Sequence, residues 1–508
     1  MPAASPQLIP GRKLAPARLG RVLVLGLGKS GRAAADYLLP LLGGRVELVA
    51  IAAGVRTEAS EAFAASARER GAAVEFGDGA PASLAKAAGG RFDLCIASPG
   101  ISQFSPFYES AAAASDEVAS EVEFAWRESA VDSRWVAVTG TNGKTTTSAL
   151  AAHVLRAGGL RAEAVGNIGD VCLEAVGADA ADVYVAEVSS YQLASTSRFA
   201  PDAAVLLNIT PDHLSWHKSF EAYRAAKLKV LQNLGTTGGT AVLNAADDEV
   251  RTVVRGLRAM APAERGFSYV PLGTAAGISG DMRAACGSDN AAFLGDDGQL
   301  RVALGGGEHA LMRAADLQIK GEHNVANALA AAAAALSLGE SPDDVARGLA
   351  TFAPLEHRIE PCGSVAGVAC FNDSKATNVD AVLAALTAFP NVRPVVLLGG
   401  DDKGTDLAPL VAACQASAKA VVCFGAAGSR FVSAFGGVSS TDVDQGDLLV
   451  LSANHLEDAL DAALSVARAG DAVLLSPACA SFDEFTSYEE RGRAFKRLVA
   501  ERAAARGA

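Results

Sequence analysis

The residues best suited to chemistry lie between Trp135 and Ser148, in the run W-V-A-V-T-G-T-N-G-K-T-T-T-S. Trp135-Val136-Ala137-Val138 reads as a buried parallel strand, Thr139 to Gly143 as a glycine loop, and Lys144-Thr145-Thr146 as the opening of a helix ending near Gly158. Such a loop presents backbone N–H groups to an anion at a helix N-terminus; the lysine adds charge, and the hydroxyl after it reaches a magnesium ion. The chemistry implied is handling of a nucleoside triphosphate, with Gly140, Thr141, Asn142, Gly143, Lys144, Thr145 and Thr146 binding it. Only Thr141 and Asn142 separate Gly140 from Gly143, fewer than the general phosphate-loop pattern has, so the fit is to a compressed variant. The plain alternative is a turn with a solvated lysine.

Other polar clusters follow apolar runs, where open α/β sheets bind ligands. Glu187 follows Val183-Tyr184-Val185-Ala186 and is a magnesium candidate, or else an acid favoured by a helix N-terminus. Thr210-Pro211-Asp212-His213 ends the next apolar run, and His213 is either a metal ligand or a hydrogen-bonded loop histidine. Lys227, in the basic helix Tyr223 to Lys229, reads by composition as a solvated charge. Asn324 and Asn327 are three apart and share a helix face, where they read a base or cap the helix. N-D-S-K-A-T-N (372–378), L-L-G-G-D-D-K-G (397–404) and L-S-P-A-C-A-S-F-D (475–483) again place polar or small residues beside apolar strands.

The elements that must position these groups read as α/β throughout. At 508 residues the chain exceeds one core and about three domains are expected. A loose arm is expected over 1–20, a Rossmann-like domain over 21–132, a central domain over 133–355 and a third α/β domain over 356–508. In the first, Arg21 to Leu25 leads into Gly26-Leu27-Gly28-Lys29-Ser30-Gly31, a G-x-G-x-x-G turn in strand–helix context. The second strand does not end on the acid that a nicotinamide nucleotide site wants, so a dehydrogenase is disfavoured. Residues 256–315 read only as an irregular β-containing segment. A net charge of −13 argues against nucleic-acid and anionic-membrane partners. The eight cysteines form no C-x-x-C pair and read as buried thiols, and no apolar run is long enough to span a bilayer. A cytoplasmic protein is expected.

G-T-N-G-K-T-T resembles the ATP loop of the Mur ligases, the amide-forming enzymes of peptidoglycan precursor synthesis, and of their relative folylpolyglutamate synthase. The three C-terminal motifs are similar to those of the D-glutamate-adding branch, and the likeness runs from Arg21 to the last helix. It implies a three-domain Mur ligase architecture: an N-terminal Rossmann-like, a central P-loop ATPase-like and a C-terminal Rossmann-like domain. It also implies ATP, two magnesium sites, and UDP-N-acetylmuramoyl-L-alanine and D-glutamate as substrates of a monomer. Residue by residue, the resemblance assigns Lys144, His213, Lys227, Asp373 and Lys375 to catalysis, and Thr145, Glu187, His213 and a carbamylated Lys227 to metal. Asn324, Asn327 and Arg358 join the ATP set; Lys29, Ser30 and Asn167 take the uridine substrate; Thr377, Lys403, Ser481 and Tyr488 hold D-glutamate. The family's Asp-Thr-Arg after the second strand is replaced by Ala53-Gly54-Val55-Arg56, and Tyr488 stands where phenylalanine is common. The alternatives are a folylpolyglutamate synthase-like ligase of the same fold and a non-catalytic nucleotide-binding homologue.

Overall fold

Three parallel-rich sheets carry the chain in a computed structural model that describes residues 7–389, 391–402, 404–437 and 448–506. The first sheet comprises β1 (Gly20–Leu25), β2 (Val46–Ala53), β3 (Ala73–Phe76), β4 (Leu94–Ala97) and β5 (Val118–Ser120), in the order β3-β2-β1-β4-β5. All its pairs are parallel, with Leu23 opposite Ala50 on one side and Cys95 on the other. Helices cover both faces, which is why the inner stretches Val22 to Leu25, Val49 to Ala53 and Leu94 to Ala97 read as unbroken apolar runs. The winding reverses between β1 and β4, leaving a crevice at their carboxyl ends.

The second sheet holds β6 (Arg134–Thr139), β7 (Ala162–Gly166), β8 (Val183–Glu187), β9 (Ala203–Leu206), β10 (Thr240–Asn244), β11 (Ser268–Leu272), β12 (Ala291–Leu294), β13 (Gln299–Leu304) and β14 (Gly307–Arg313). Its order is β14-β13-β12-β11-β10-β9-β6-β8-β7, with β6 between β8 and β9. Residues 256–315, read as an irregular β-containing segment, supply β11 as one more parallel strand and then the antiparallel meander β12–β14.

The third sheet holds β15 (Glu360–Val365), β16 (Val368–Asn372), β17 (Val395–Gly399), β18 (Ala420–Phe424), β19 (Leu449–Ser452) and β20 (Ala472–Ala478), ordered β15-β16-β20-β17-β18-β19. Only β15 runs antiparallel to its neighbour. The chain divides into two compact units: 1–316 with 326–351, carrying the first two sheets, and 317–325 with 352–508, carrying the third.

Within the first unit, Glu121 is buried in the helix Glu121–Glu128, and its Oε1 accepts the Leu173 N–H at 2.6 Å. The expected loose arm is corrected for residues 7–19. Leu8 bridges Pro16, Arg12 bridges Ala130, and Ala15 and Leu19 are buried, because these apolar side chains and backbone groups find partners on the first unit. The helix Glu322–Ser337 buries Ala328, Leu329 and Ala330 through Ala335 completely. All eight cysteines are free, and all but the half-buried Cys362 are buried. Among the described residues no helix is long and apolar enough to cross a membrane.

Candidate active site

The loop between β6 and the helix Lys144–Ala157 has the strand–loop–helix form that its sequence predicts. Gly143 is the helix N-cap at φ +83°, and a Cβ there would lie 2.7 Å from Asn327 Oδ1, so geometry and crowding both require glycine. Lys144 Nζ folds back onto the carbonyls of Gly140 at 2.9 Å and Thr141 at 2.8 Å. The loop is braced from β9's end, where Asn208 Oδ1 accepts the Asn142 N–H at 2.8 Å and Asn208 N–H₂ donates to the Asn142 carbonyl at 3.2 Å. Thr141 Oγ1 lies 2.7 Å from the Tyr223 hydroxyl. Thr145 and Thr146 are buried at the first helical turn, and Asn327 Oδ1 accepts the Thr147 hydroxyl at 3.1 Å.

Lys227 is where composition misleads. Its side chain is 2% exposed, and Nζ donates to the same Gly140 carbonyl at 2.6 Å while lying 4.8 Å from the Tyr223 ring centroid. Burial, then the charge of Lys144, holds this amine well below the usual lysine range, against the opposing pull of Asp212 and Glu187. Beside it stands an aromatic wall: Tyr191 packs on His213 at 4.8 Å and on Trp216 at 4.6 Å, and His217 on Tyr223 at 5.3 Å. His217 is buried with Nε2 2.9 Å from Ser190 Oγ, and burial, with the charges of His213 and Lys227, pushes it down to about 4. His213 itself is half-exposed at φ +55°, its Nε2 3.6 Å from Asp212 Oδ2.

Glu187 ends β8 and is buried. Its Oε1 accepts the Asn167 amide at 3.0 Å, while Oε2 is buried with no hydrogen-bond partner among the described residues. A buried carboxylate oxygen left in this state fits a hard divalent cation that takes oxygen ligands; Thr145 lies in the first turn of the helix that follows β6, and His213 in the segment that follows β9.

Lys29, Ser30 and Asn167 line one cavity of about 650 Å³ at the crevice of the first sheet, together with the Ser98-Pro99-Gly100-Ile101 turn. Lys29 Nζ donates to the Gly169 carbonyl at 3.1 Å. Arg56 points elsewhere, pairing with Glu61 and stacking on Phe76 at 4.7 Å.

In the second unit, Asn324 and Arg358 line a cavity of about 190 Å³ with Lys320, Ile359, Phe371 and Phe389, and Asn324 donates to the Lys320 carbonyl at 2.7 Å. Asn324 and Asn327, read as a pair, thus have separate partners. Asp373, just past β16, is buried; Oδ2 accepts the Ser476 hydroxyl at 2.8 Å. Burial pushes its carboxyl up to about 7, against that hydrogen bond and the charge of Arg358. Lys375 Nζ donates to the Tyr488 hydroxyl at 2.8 Å, and Thr377 N–H to the Lys375 carbonyl at 2.9 Å. Ser481 is buried past the end of β20, and Lys403 lies outside the described residues.

Residues 138–335 match the Mur ligase middle domain, and residues 357–479 the Mur ligase glutamate ligase domain. The chain belongs to the Mur ligase family. This Mur ligase is 38% identical over 483 residues to the UDP-N-acetylmuramoylalanine--D-glutamate ligase of Thermobifida fusca, spanning 94% of this chain and 98% of that one. It is 39% identical over 497 residues to the enzyme of the same name from Salinibacter ruber, spanning 95% and 98%. Among solved structures it resembles a pseudomurein peptide ligase type C from Methanothermus fervidus, with a TM-score of 0.54 and 19% identity over 95% of this chain and 99% of that chain, a likeness of fold. The expected α/β Mur ligase architecture is the one present.

Sequence reasoning about this Mur ligase missed Asn208, Tyr223 and His217. Asn208 ends an apolar run, which is a usable signal. The others sit in helices where a polar side chain reads as solvated, and no local pattern marks them.

Proposed function

We propose that this chain is an ATP-dependent ligase joining D-glutamate to UDP-N-acetylmuramoyl-L-alanine in peptidoglycan precursor synthesis. The observation that carries this reading is the likeness to two relatives bearing that activity in their names, each covered over 98% of its length. In the first step the L-alanyl carboxylate attacks the γ-phosphorus of ATP, the bond to ADP breaks, and an acyl phosphate forms. In the second, the D-glutamate amine attacks the acyl carbon, loses a proton, and phosphate departs.

The chain's groups are suited to these steps. Lys144 and the N–H groups at the start of its helix, Gly143 to Thr146, offset the charge on the phosphates, which in phosphoryl transfer is most of the catalytic task. Thr145, Glu187, His213 and a carbamylated Lys227 would hold magnesium, which when bound neutralises charge on the transferring phosphoryl group. The depressed amine of Lys227 supports carbamylation, because only a neutral amine adds to carbon dioxide, losing a proton to become an anionic oxygen donor. Lys29, Ser30 and Asn167 would take the uridine nucleotide substrate in the large cavity. Asn324 and Arg358 would take the adenine end of ATP, while Asn327 braces the phosphate loop. Asp373 and Lys375 would flank the nucleotide, and Thr377, Lys403, Ser481 and Tyr488 would hold D-glutamate. We assign the uridine substrate to residues 21–132, ATP to 133–355 and D-glutamate to 356–508, in a cytoplasmic monomer without nucleic-acid or membrane partners.

The test is phosphate release from ATP in the presence of UDP-N-acetylmuramoyl-L-alanine. Sustained release is expected with D-glutamate and not with L-glutamate, whose inverted centre misplaces either amine or carboxylates. Equal turnover with L-glutamate, or none with D-glutamate, refutes the reading.

A further inference from the structure

Arg491, in the first turn of the helix Tyr488–Arg506, is 1% exposed, and all its described hydrogen bonds go to neutral oxygens. Nε donates to Ser374 Oγ at 2.9 Å; Nη2 donates to the carbonyls of Ser374 at 2.8 Å and Cys479 at 3.1 Å; Nη1 donates to the Ala480 carbonyl at 3.1 Å. Burial pushes the guanidinium down to about 10, which leaves it charged at neutral pH. A cation buried without a carboxylate is expensive, and an apolar side chain of the same length would fill the space at less cost. The planar fork, however, fixes the separation of several acceptors at once, which an apolar chain cannot do.

Those acceptors belong to the segments that carry Thr377 and Ser481 of the amino-acid set, the first of which also carries Asp373 and Lys375. Ser374 lies between Asp373 and Lys375, and its hydroxyl donates in turn to the Tyr488 carbonyl at 2.8 Å. Cys479 and Ala480 immediately precede Ser481. Ala480 also exchanges backbone bonds with Asp401, at 2.9 and 3.0 Å, which ties in the segment after β17. There the packing is closed, since a Cβ on Gly400 would lie 2.2 Å from the Ala480 carbonyl oxygen and 3.0 Å from Arg491 Nη1. One guanidinium therefore joins the carboxyl ends of the adjacent strands β16 and β20, Ala480 carries the link on to the segment after β17, and the positive charge beside them is bonded to no carboxylate and offset only through space by Asp483 and Glu484.

We infer that Arg491 is a positioning residue for the amino-acid substrate, holding the 373–377 and 479–481 segments in register and biasing that edge toward a dicarboxylate. The inference rests on the ligase reading and deepens it. Arg491→Lys keeps the cation and loses the fork. Steady-state phosphate release should show KM for D-glutamate raised tenfold or more, KM for ATP and for the uridine substrate within twofold of the unaltered chain, and a thermal midpoint near that of the unaltered chain. Ser374→Ala, which removes the Nε acceptor and leaves the guanidinium, should shift KM for D-glutamate in the same selective way. A folded variant with unchanged KM for D-glutamate, an equal rise in all three KM values, or failure of both variants to fold overturns the inference in favour of a role in folding alone. If the unaltered chain shows no D-glutamate-dependent release, it is the ligase reading that fails.

Discussion

Replacing Glu121 by glutamine tests whether burial sets the charge state of a group that ties the first sheet to the second. Glu121 is 1% exposed, Oε1 accepts the Leu173 N–H, and Oε2 has no hydrogen-bond partner among the described residues. Burial raises its carboxyl from 4.5 to about 7, opposed by that hydrogen bond and, more weakly, by the charge of Lys29. Because the folded pKa is the higher one, the folded chain binds more protons than the unfolded chain between these two values. Stability from this group is therefore complete below about pH 4.5 and declines as pH rises to about 7. The span corresponds to about 3 kcal/mol at 1.36 kcal/mol per pKa unit. Glutamine does not titrate, so the difference in thermal midpoint between the unaltered chain and Glu121→Gln isolates this group from every other carboxylate. With an unfolding entropy of about 2.1 cal/mol/K per residue over the roughly 340 residues of the first unit, the unaltered chain should lose about 4 °C relative to the variant between pH 5 and 8. Differential scanning calorimetry at half-unit pH steps reads this directly. A difference constant with pH would mean that Glu121 titrates like a surface carboxylate, and the burial argument would be wrong.

Two further outcomes follow from the phosphate loop. Lys144→Ala should lower kcat by about 10³-fold or more with the circular dichroism spectrum unchanged, because the positioned charge acts on the transferring phosphoryl group; turnover within threefold of the unaltered chain would make the loop a plain turn. Lys227→Ala should lower kcat by about 100-fold, with partial restoration by acetate and loss of a ¹³C carbamate resonance from labelled bicarbonate. Lys229→Ala is the comparison: its Nζ holds the carbonyls of Ala194 at 2.5 Å and Thr196 at 3.1 Å, so the midpoint should drop while kcat changes little. Equal small losses for the two lysines, without acetate rescue, would defeat the carbamate.

What could be read from the sequence was what is local. Strand, loop and helix around Lys144 are specified within fourteen consecutive residues, and the structure has them where the pattern puts them. The partners of that loop come from far along the chain: Asn208 from the end of β9, Tyr223 from a helix, Asn327 from another helix. No period or spacing announces them. Composition alone misleads at Lys227 for the same reason, since a lysine in a basic helix looks solvated until the fold lays Gly140 and Tyr223 against it, and only the family resemblance singled it out. Arg491 sits among Glu489, Glu490 and Arg493, which is how an exposed helix face is written, although Arg491 itself points inward. The order within the β-containing segment 256–315 escaped because β12 (A-A-F-L) and β13 (Q-L-R-V-A-L) show little alternation and glycine-rich turns separate the strands, so periodicity had little to act on.

The alanines of the helix Glu322–Ser337 look like the least informative stretch of the chain, yet Ala328 and Ala330 through Ala335 are sealed from solvent on every side of the helix. A methyl group is all that each position holds, and each added methylene must displace a close-packed neighbour, at a typical cost of about 1–3 kcal/mol. Glycine fails in the other direction, costing about 1 kcal/mol in helix propensity at each site. Drift at these positions is hemmed in from both sizes of neighbour in the side-chain alphabet. The segment that a complexity filter would discard as filler should therefore be among the slowest to diverge.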